Sequence, residues 1–307
     1  MLYLDHLKEK LKINDNDAII ETAVNFIARD QPTKNPNLIE HQIIDEWFSE
    51  IFLRWNIETR VLNLSQSHFL GKLEPKLNGF ILNLNKNLFP TQKRFVIAHE
   101  LAHLLSFDVG KTWPLSSIIH SKQEEYYCDR IARALLLPSS LIDLRSIDII
   151  NFTAENMTVL KSTIKKFEIS GWQVIKKILE DQKEKSVIGI CWKYKNSADN
   201  QSHLKIIDFH SQSGIFIPRN DRIFIEQSKK TEASYRKRKF HLTSSSKNTE
   251  NSKPNMAPLS SFKSRDIYRG FDLVSLGSLY NKELLTTSIY HETSAGIYVF
   301  QIIKLDS

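Results

Sequence analysis

Apolar positions in the first 60 residues recur at helical spacing. Ile19, Ile20, Ala23, Val24, Phe26 and Ile27 follow the 3.6-residue period until Gln31-Pro32 interrupts it. Ile43, Ile44, Trp47, Phe48 and Ile51 give a second helix, over about 38–55, a single buried face. Two apolar-rich runs bounded by turn-formers, Arg60 to Leu64 and Gly79 to Leu84, predict short strands. Pro90-Thr91 then opens a helix reaching about Phe107. The next helix covers Lys122 to Leu137 and stops at Pro138, which cannot continue it. Residues 139–181 read as helical again. They include a helix–turn–helix outline, Thr158 to Phe167 and Trp172 to Leu179 around Ser170-Gly171.

Beyond Lys185 the pattern changes to short β-type runs: Val187 to Ile190, Leu204 to Phe209, Gly214 to Ile217, Arg222 to Ile225 and Gly296 to Ile303. Between them, Lys229 to Arg265 is rich in Ser, Lys and Asn and reads as a mobile loop. The expectation is α+β in two domains: 1–184 mainly helical with a small antiparallel or mixed sheet, and 185–307 β-rich.

Composition narrows the class. Over 307 residues, 41% hydrophobic and 10% aromatic content suffices for buried cores and excludes a mostly disordered chain. The net charge of +7 suits an acidic partner or nucleic acid without requiring either. Two cysteines, Cys128 and Cys191, cannot build a disulfide framework. The first dozen residues alternate charges with leucines, unlike a signal peptide, and no run approaches the ~18 apolar residues of a membrane span. The expected setting is the cytoplasm, away from any membrane.

The candidate chemistry lies in Arg94-Phe95-Val96-Ile97-Ala98-His99-Glu100-Leu101-Ala102-His103. His-Glu-x-x-His on a helix projects His99 and His103 from one face, where two imidazoles can share a metal ion. Glu100, rotated by about 100°, can instead take a proton from the attacking water. A chain of this histidine content shows the spacing by accident in roughly 1–2% of cases. A catalytic zinc needs a third protein ligand and an open position. Glu124-Glu125-Tyr126-Tyr127-Cys128-Asp129 offers Glu125 as that ligand, with Asp129 on the same helix face to hold a histidine by its other ring nitrogen. Glu124 is the alternative ligand, and both glutamates also suit a helix N-terminus on charge grounds alone.

Taken together, Gly79-Phe80-Ile81-Leu82-Asn83, Arg94-Phe95 with His99-Glu100-Leu101-Ala102-His103, Glu125-x-x-Cys128-Asp129 and Leu135-Leu136-Leu137-Pro138 resemble the ImmA/IrrE zinc metallopeptidases. The resemblance covers about 78–140 and returns faintly over 158–180; nothing beyond 185 carries it. It implies a zincin-like domain with Zn²⁺ on His99, His103 and Glu125, and Glu100 as general base. It also implies hydrolysis of a cytosolic regulatory protein, a helix-turn-helix repressor or antitoxin, in a stress or phage-related response. Ala102 stands where the family usually has Gly, and Cys128 where it has Ala; Cys128 reads as packing.

Several features stay open. His120, Tyr126 and Tyr127 are candidates for stabilising the developing oxyanion. The strand Gly79 to Leu84 could pair with an extended substrate as a sheet edge. Lys229-Lys230 and Arg236-Lys237-Arg238-Lys239 could bind phosphates, though such clusters are more often solvated loop. The helix Trp172 to Leu179 could read DNA, but its apolar content favours a core role. Residues 185–307 have the size of a sensor or partner-binding domain. The alternative reading is a non-proteolytic regulatory, toxin or defence protein acting through that half, with a structural zinc; an intact Glu100 argues against it.

Overall fold

The computed structural model describes residues 3–16, 18–63, 70–107, 122–182, 187–196, 202–211, 222–225, 267–274, 282–293 and 296–304. The expected strand Gly214 to Ile217, the loop Lys229 to Arg265 with its basic cluster, and His120 all lie outside these residues. The described residues form an α+β arrangement that divides into two compact units. One comprises 1–144 and 161–177; the other comprises 145–160 and 178–307.

The first unit begins with three helices, α1 (Tyr3–Leu11), α2 (Ile19–Ala28) and α3 (Glu40–Trp55). Of the periodic apolar positions, Ile19, Ala23, Val24 and Ile27 on α2 and Ile43, Ile44, Trp47, Phe48 and Ile51 on α3 are buried, while Ile20 and Phe26 are half-buried. The carbonyls at the end of α2 are satisfied from α3, because the Trp55 indole N–H donates to Ile27 O at 2.8 Å and that of Trp47 to Asp30 O at 2.9 Å.

A three-stranded sheet follows, β1 (Ile57–Leu62), β2 (Gly71–Lys76) and β3 (Gly79–Asn85), in the order β1-β3-β2. β1 runs parallel to β3, and β2 antiparallel. β3 is therefore central, so the expectation that it offers an edge to a substrate is corrected: both of its sides are paired. Among the described residues the outer strands are β1 and β2. Gly79 joins β3 to the end of α3 at a φ of 149°, and a Cβ there would lie 2.2 Å from Asn56 O. β2 escaped the sequence reading because Pro75 interrupts it. A proline is tolerated only where its missing N–H faces away from the ladder, which an edge strand permits.

α4 (Pro90–Ala102) starts with Pro90 at its first position, and the Gln92 side chain accepts from the Phe89 N–H at 3.2 Å. It ends one turn earlier than expected, since His103–Ser106 is a 3₁₀ turn. α5 (Lys122–Leu136) packs against α4, with Cys128, Ile131, Ala132 and Leu135 wholly buried. Arg94 ties α4 to its surroundings: Nε and Nη2 donate to the two Asp45 oxygens at 3.0 and 2.8 Å, and Nη1 bonds Glu168.

Residues 139–153 are not helical, contrary to their spacing. After Pro138 the chain turns repeatedly, and Asp148 Oδ1 accepts from the N–H groups of Ile150 and Asn151. Their apolar side chains Leu141, Leu144, Ile147 and Ile149 are buried without a helix. Helix resumes at α6 (Ala154–Phe167) and α7 (Gly171–Asp181), each divided between the two units. Trp172, Val174, Ile175, Ile178 and Leu179 of α7 are buried, as a core role requires.

The second unit carries a six-stranded sheet built from β4 (Val187–Asn196), β5 (Ser202–Ser211), β6 (Arg222–Ile225), β7 (Ile267–Val274), β8 (Lys282–Thr293) and β9 (Gly296–Lys304). All pairs are antiparallel, in the order β6-β5-β4-β9-β8-β7. β7 and β8 have no counterpart in the sequence reading, because polar residues such as Thr286, Thr287 and Ser288 break the apolar run of β8. One of these is nonetheless buried: Thr287 Oγ1 donates to Ile150 O at 2.8 Å inside the same unit.

Candidate metal centre

α4 and the turn after it bring His99 and His103 together, with ring centroids 5.0 Å apart. Their Nε2 atoms are separated by 3.3 Å. Glu125, in the first turn of α5, approaches both: Oε2 is 3.2 Å from His99 Nε2 and Oε1 is 3.8 Å from His103 Nε2. Tetrahedral bonds of about 2.0–2.2 Å to nitrogen and oxygen need ligand atoms roughly 3.3–3.5 Å apart. The donor set and its spacing fit such a cation. Leu101, Leu104 and Leu105 are fully buried on the other side and make the platform rigid.

Each imidazole is held from behind by its own carboxylate. His99 Nδ1 donates to Asp129 Oδ1 at 2.9 Å, and His103 Nδ1 to Glu124 Oε1 at 3.0 Å. With Nδ1 engaged in this way, the Nε2 atoms of both rings face Glu125. Burial opposes a charge on His99, but Asp129 and Glu125 outweigh it and push the imidazole up from 6.5 to about 10. Hydrogen bonding to His99 holds Glu125 below its ordinary range. Burial would raise Asp129, yet its bond to His99 and the nearby Arg133 keep it low.

Glu100 takes a separate direction. Its Oε2 accepts the backbone N–H of Leu73 on β2 at 2.8 Å. Leu73 is two residues from Pro75, so its N–H lies on the same outward edge, away from β3 and towards α4. The close approach of the two elements depends on Gly71, where a Cβ would meet Val96 Cγ1 at 2.4 Å. A carboxylate fixed by a backbone donor, beside two imidazoles, is arranged for proton transfer.

Of the other sequence candidates, Tyr126 is 43% exposed and lies under the Arg130 guanidinium, 5.6 Å from the ring centre. Tyr127 stacks towards Tyr3, 6.3 Å between centroids. Cys128 is wholly buried, as a packing residue is, and burial pushes its thiol well up. Its Sγ also lies 3.6 Å from His103 Nδ1.

Leu73 was missed, and Glu124 was read only as the alternative ligand, not as a partner of His103. Leu73 acts through its backbone, to which residue type gives no clue. Glu124 stands at i, i+4, i+7 and i+11 with Cys128, Ile131 and Leu135, so its place on the apolar stripe of α5 was a readable sign that it points inward.

Among the described residues no helix is long and apolar enough to cross a membrane. No curated protein matches the sequence. A solved structure described as a Mycobacterium tuberculosis transcriptional regulator aligns with a TM-score of 0.48 at 11% identity, covering 98% of this chain and 91% of that one. Residues 54–163, which hold β1 to α5 and the whole candidate donor set, match the family model described as the IrrE N-terminal-like domain, Peptidase M78.

Proposed function

We propose that the chain is a zinc-dependent endopeptidase that cleaves a peptide bond in a cytosolic regulatory protein, a helix-turn-helix repressor or antitoxin. The observation that carries the reading is the convergence of His99, His103 and Glu125 within 4.8 Å, beside an independently anchored Glu100. His99, His103 and Glu125 hold the ion, and Asp129 keeps the His99 proton on Nδ1. When bound, zinc supplies Lewis acidity that acidifies water and polarises a carbonyl. Glu100 accepts the proton of the attacking water at its carboxylate and passes it to the departing amine nitrogen. Leu73 N–H keeps that carboxylate turned towards the edge of β2 while it does so. Residues 1–184 form the peptidase domain in this reading, and 185–307 a sensor or partner-binding domain that selects the substrate or responds to the trigger.

The test pairs metal analysis with incubation of any helix-turn-helix repressor found encoded beside the chain's own gene. Wild-type protein should carry one zinc and cut that repressor at a defined bond. Glu100→Gln should keep its zinc and lose cleavage by a factor of 10² or more. Cleavage surviving in Glu100→Gln removes Glu100 from the chemistry. A biological effect that survives without cleavage favours the non-proteolytic alternative.

A further inference from the structure

The wall behind His103 is built from ionisable and hydroxyl groups, although it lies in the protein interior. Glu124 has no solvent exposure, and a carboxyl is almost never so placed without partners. Its Oε1 accepts from His103 Nδ1 at 3.0 Å and from Ser106 Oγ at 2.6 Å. Ser106 has one proton, which goes to the carboxylate. The Tyr3 hydroxyl, 3.3 Å from Ser106 Oγ, can then donate to it. Tyr3 belongs to α1, which is fastened over this wall by His6 Nε2 at 3.0 Å from Leu105 O and by Leu4 N–H at 3.3 Å from Gln123 Oε1.

A favourable helix dipole explains a glutamate in the first turn of α5 but not one turned inward, since an exposed side chain would gain the same interaction. The group His103, Glu124 and Cys128 also has the composition of a cation site. A second ion there would need His103 Nδ1 deprotonated while Nε2 serves the first ion. One proton shared between Nδ1 and Glu124 accounts for the contact without that cost.

Resting on the zinc reading above, we propose that Glu124 is the positioning residue for His103. Supported by Ser106 and Tyr3, it fixes the Nδ1–H tautomer, aims Nε2 at the ion and so sets zinc affinity from within the interior. His99 has the corresponding bond to Asp129, but that carboxylate is 36% exposed and therefore less insulated. The two ligands are alike in sequence and unequal in support.

The experiment measures zinc affinity by chelator competition in the full chain, together with the imidazole N–H proton resonances of the zinc-loaded protein. Glu124→Gln keeps the volume but replaces a charged acceptor with a neutral one. It should weaken zinc by roughly 10–100-fold. It should also move the His103 Nδ1 proton upfield and leave that of His99 in place, a change that loss of packing alone would not make selectively. Ser106→Ala, a milder change that keeps the fold accessible if the first variant does not accumulate, should weaken zinc by roughly threefold to tenfold. Wild type that binds zinc, alongside variants with unchanged affinity and an unmoved His103 resonance, overturns the role of Glu124 alone. Wild type that takes up no zinc overturns the parent reading, and this proposal with it.

Discussion

The two sides of the metal centre are made in different ways. Behind His103, an interior wall of Glu124, Ser106 and Tyr3 is joined by side-chain hydrogen bonds, and α1 lies across it. Beside His99 and Glu125 the wall is half open. Asp129 and Glu125 keep partial exposure there, and the backbone edge of β2 supplies the anchor for Glu100. The interior side is closed to solvent at Glu124; the other side is partly open to it at Glu125 and Asp129. Two histidines of one motif thus answer to different environments, and a perturbation should report which wall it has reached.

The largest effect expected from this contrast concerns pH. Without a bound metal, the folded value of His99 stands at about 10 against an ordinary 6.5. A folded value raised in this way contributes stability that is complete below 6.5 and is lost as pH rises towards about 10. Chelator-treated protein should therefore need less urea to unfold at pH 9 than at pH 6, and Asp129→Asn should flatten that slope. An identical slope in both proteins would detach His99 from Asp129. The same proton must leave before zinc can bind, so zinc affinity should climb with pH across this range.

Next comes the contact that carries β2 to α4. Gly71→Ala places a methyl against Val96 Cγ1, and overpacking of this kind costs about 1–3 kcal/mol. Thermal unfolding should show the loss, and adding Val96→Ala should recover most of it. No recovery in the double variant would mean that the strain lies in the backbone of β2 instead. The smallest effect belongs to Asp129→Asn at fixed pH. Because Asp129 is partly exposed, its replacement should weaken zinc by about tenfold, at the low end of such tethers and less than Glu124→Gln does. Equal losses at the two positions would erase the distinction between the walls.

How much of this was legible beforehand depends on the kind of residue. α2, α3, α4 and α5 were readable because each buries one apolar stripe at helical spacing; His99, Glu100, His103, Glu125 and Asp129 stood out as candidates because their spacing suits helix faces, although His103 lies on the 3₁₀ turn after α4. The stretch 139–153 was misread because its apolar side chains are buried from successive turns, a pattern that periodicity cannot separate from a helix. β2 was hidden by Pro75, and β8 by its run of Thr and Ser. Arg94 was visible only as part of a family pattern; its double grip on Asp45 and Glu168 joins residues 49 and 74 positions away.

The sequence alone determined the donor types, their helical spacing and the likeness of residues 54–163 to the IrrE N-terminal-like domain, since these depend on residue identity and local backbone geometry. Tertiary structure alone decided that β3 is central and β2 the edge, that Leu73 N–H meets Glu100, and that Glu124 turns inward to His103 Nδ1 while Glu125 turns to the Nε2 atoms of both histidines. Those outcomes depend on which surfaces of distant segments meet, and on the requirement that polar groups carried into the interior find partners there.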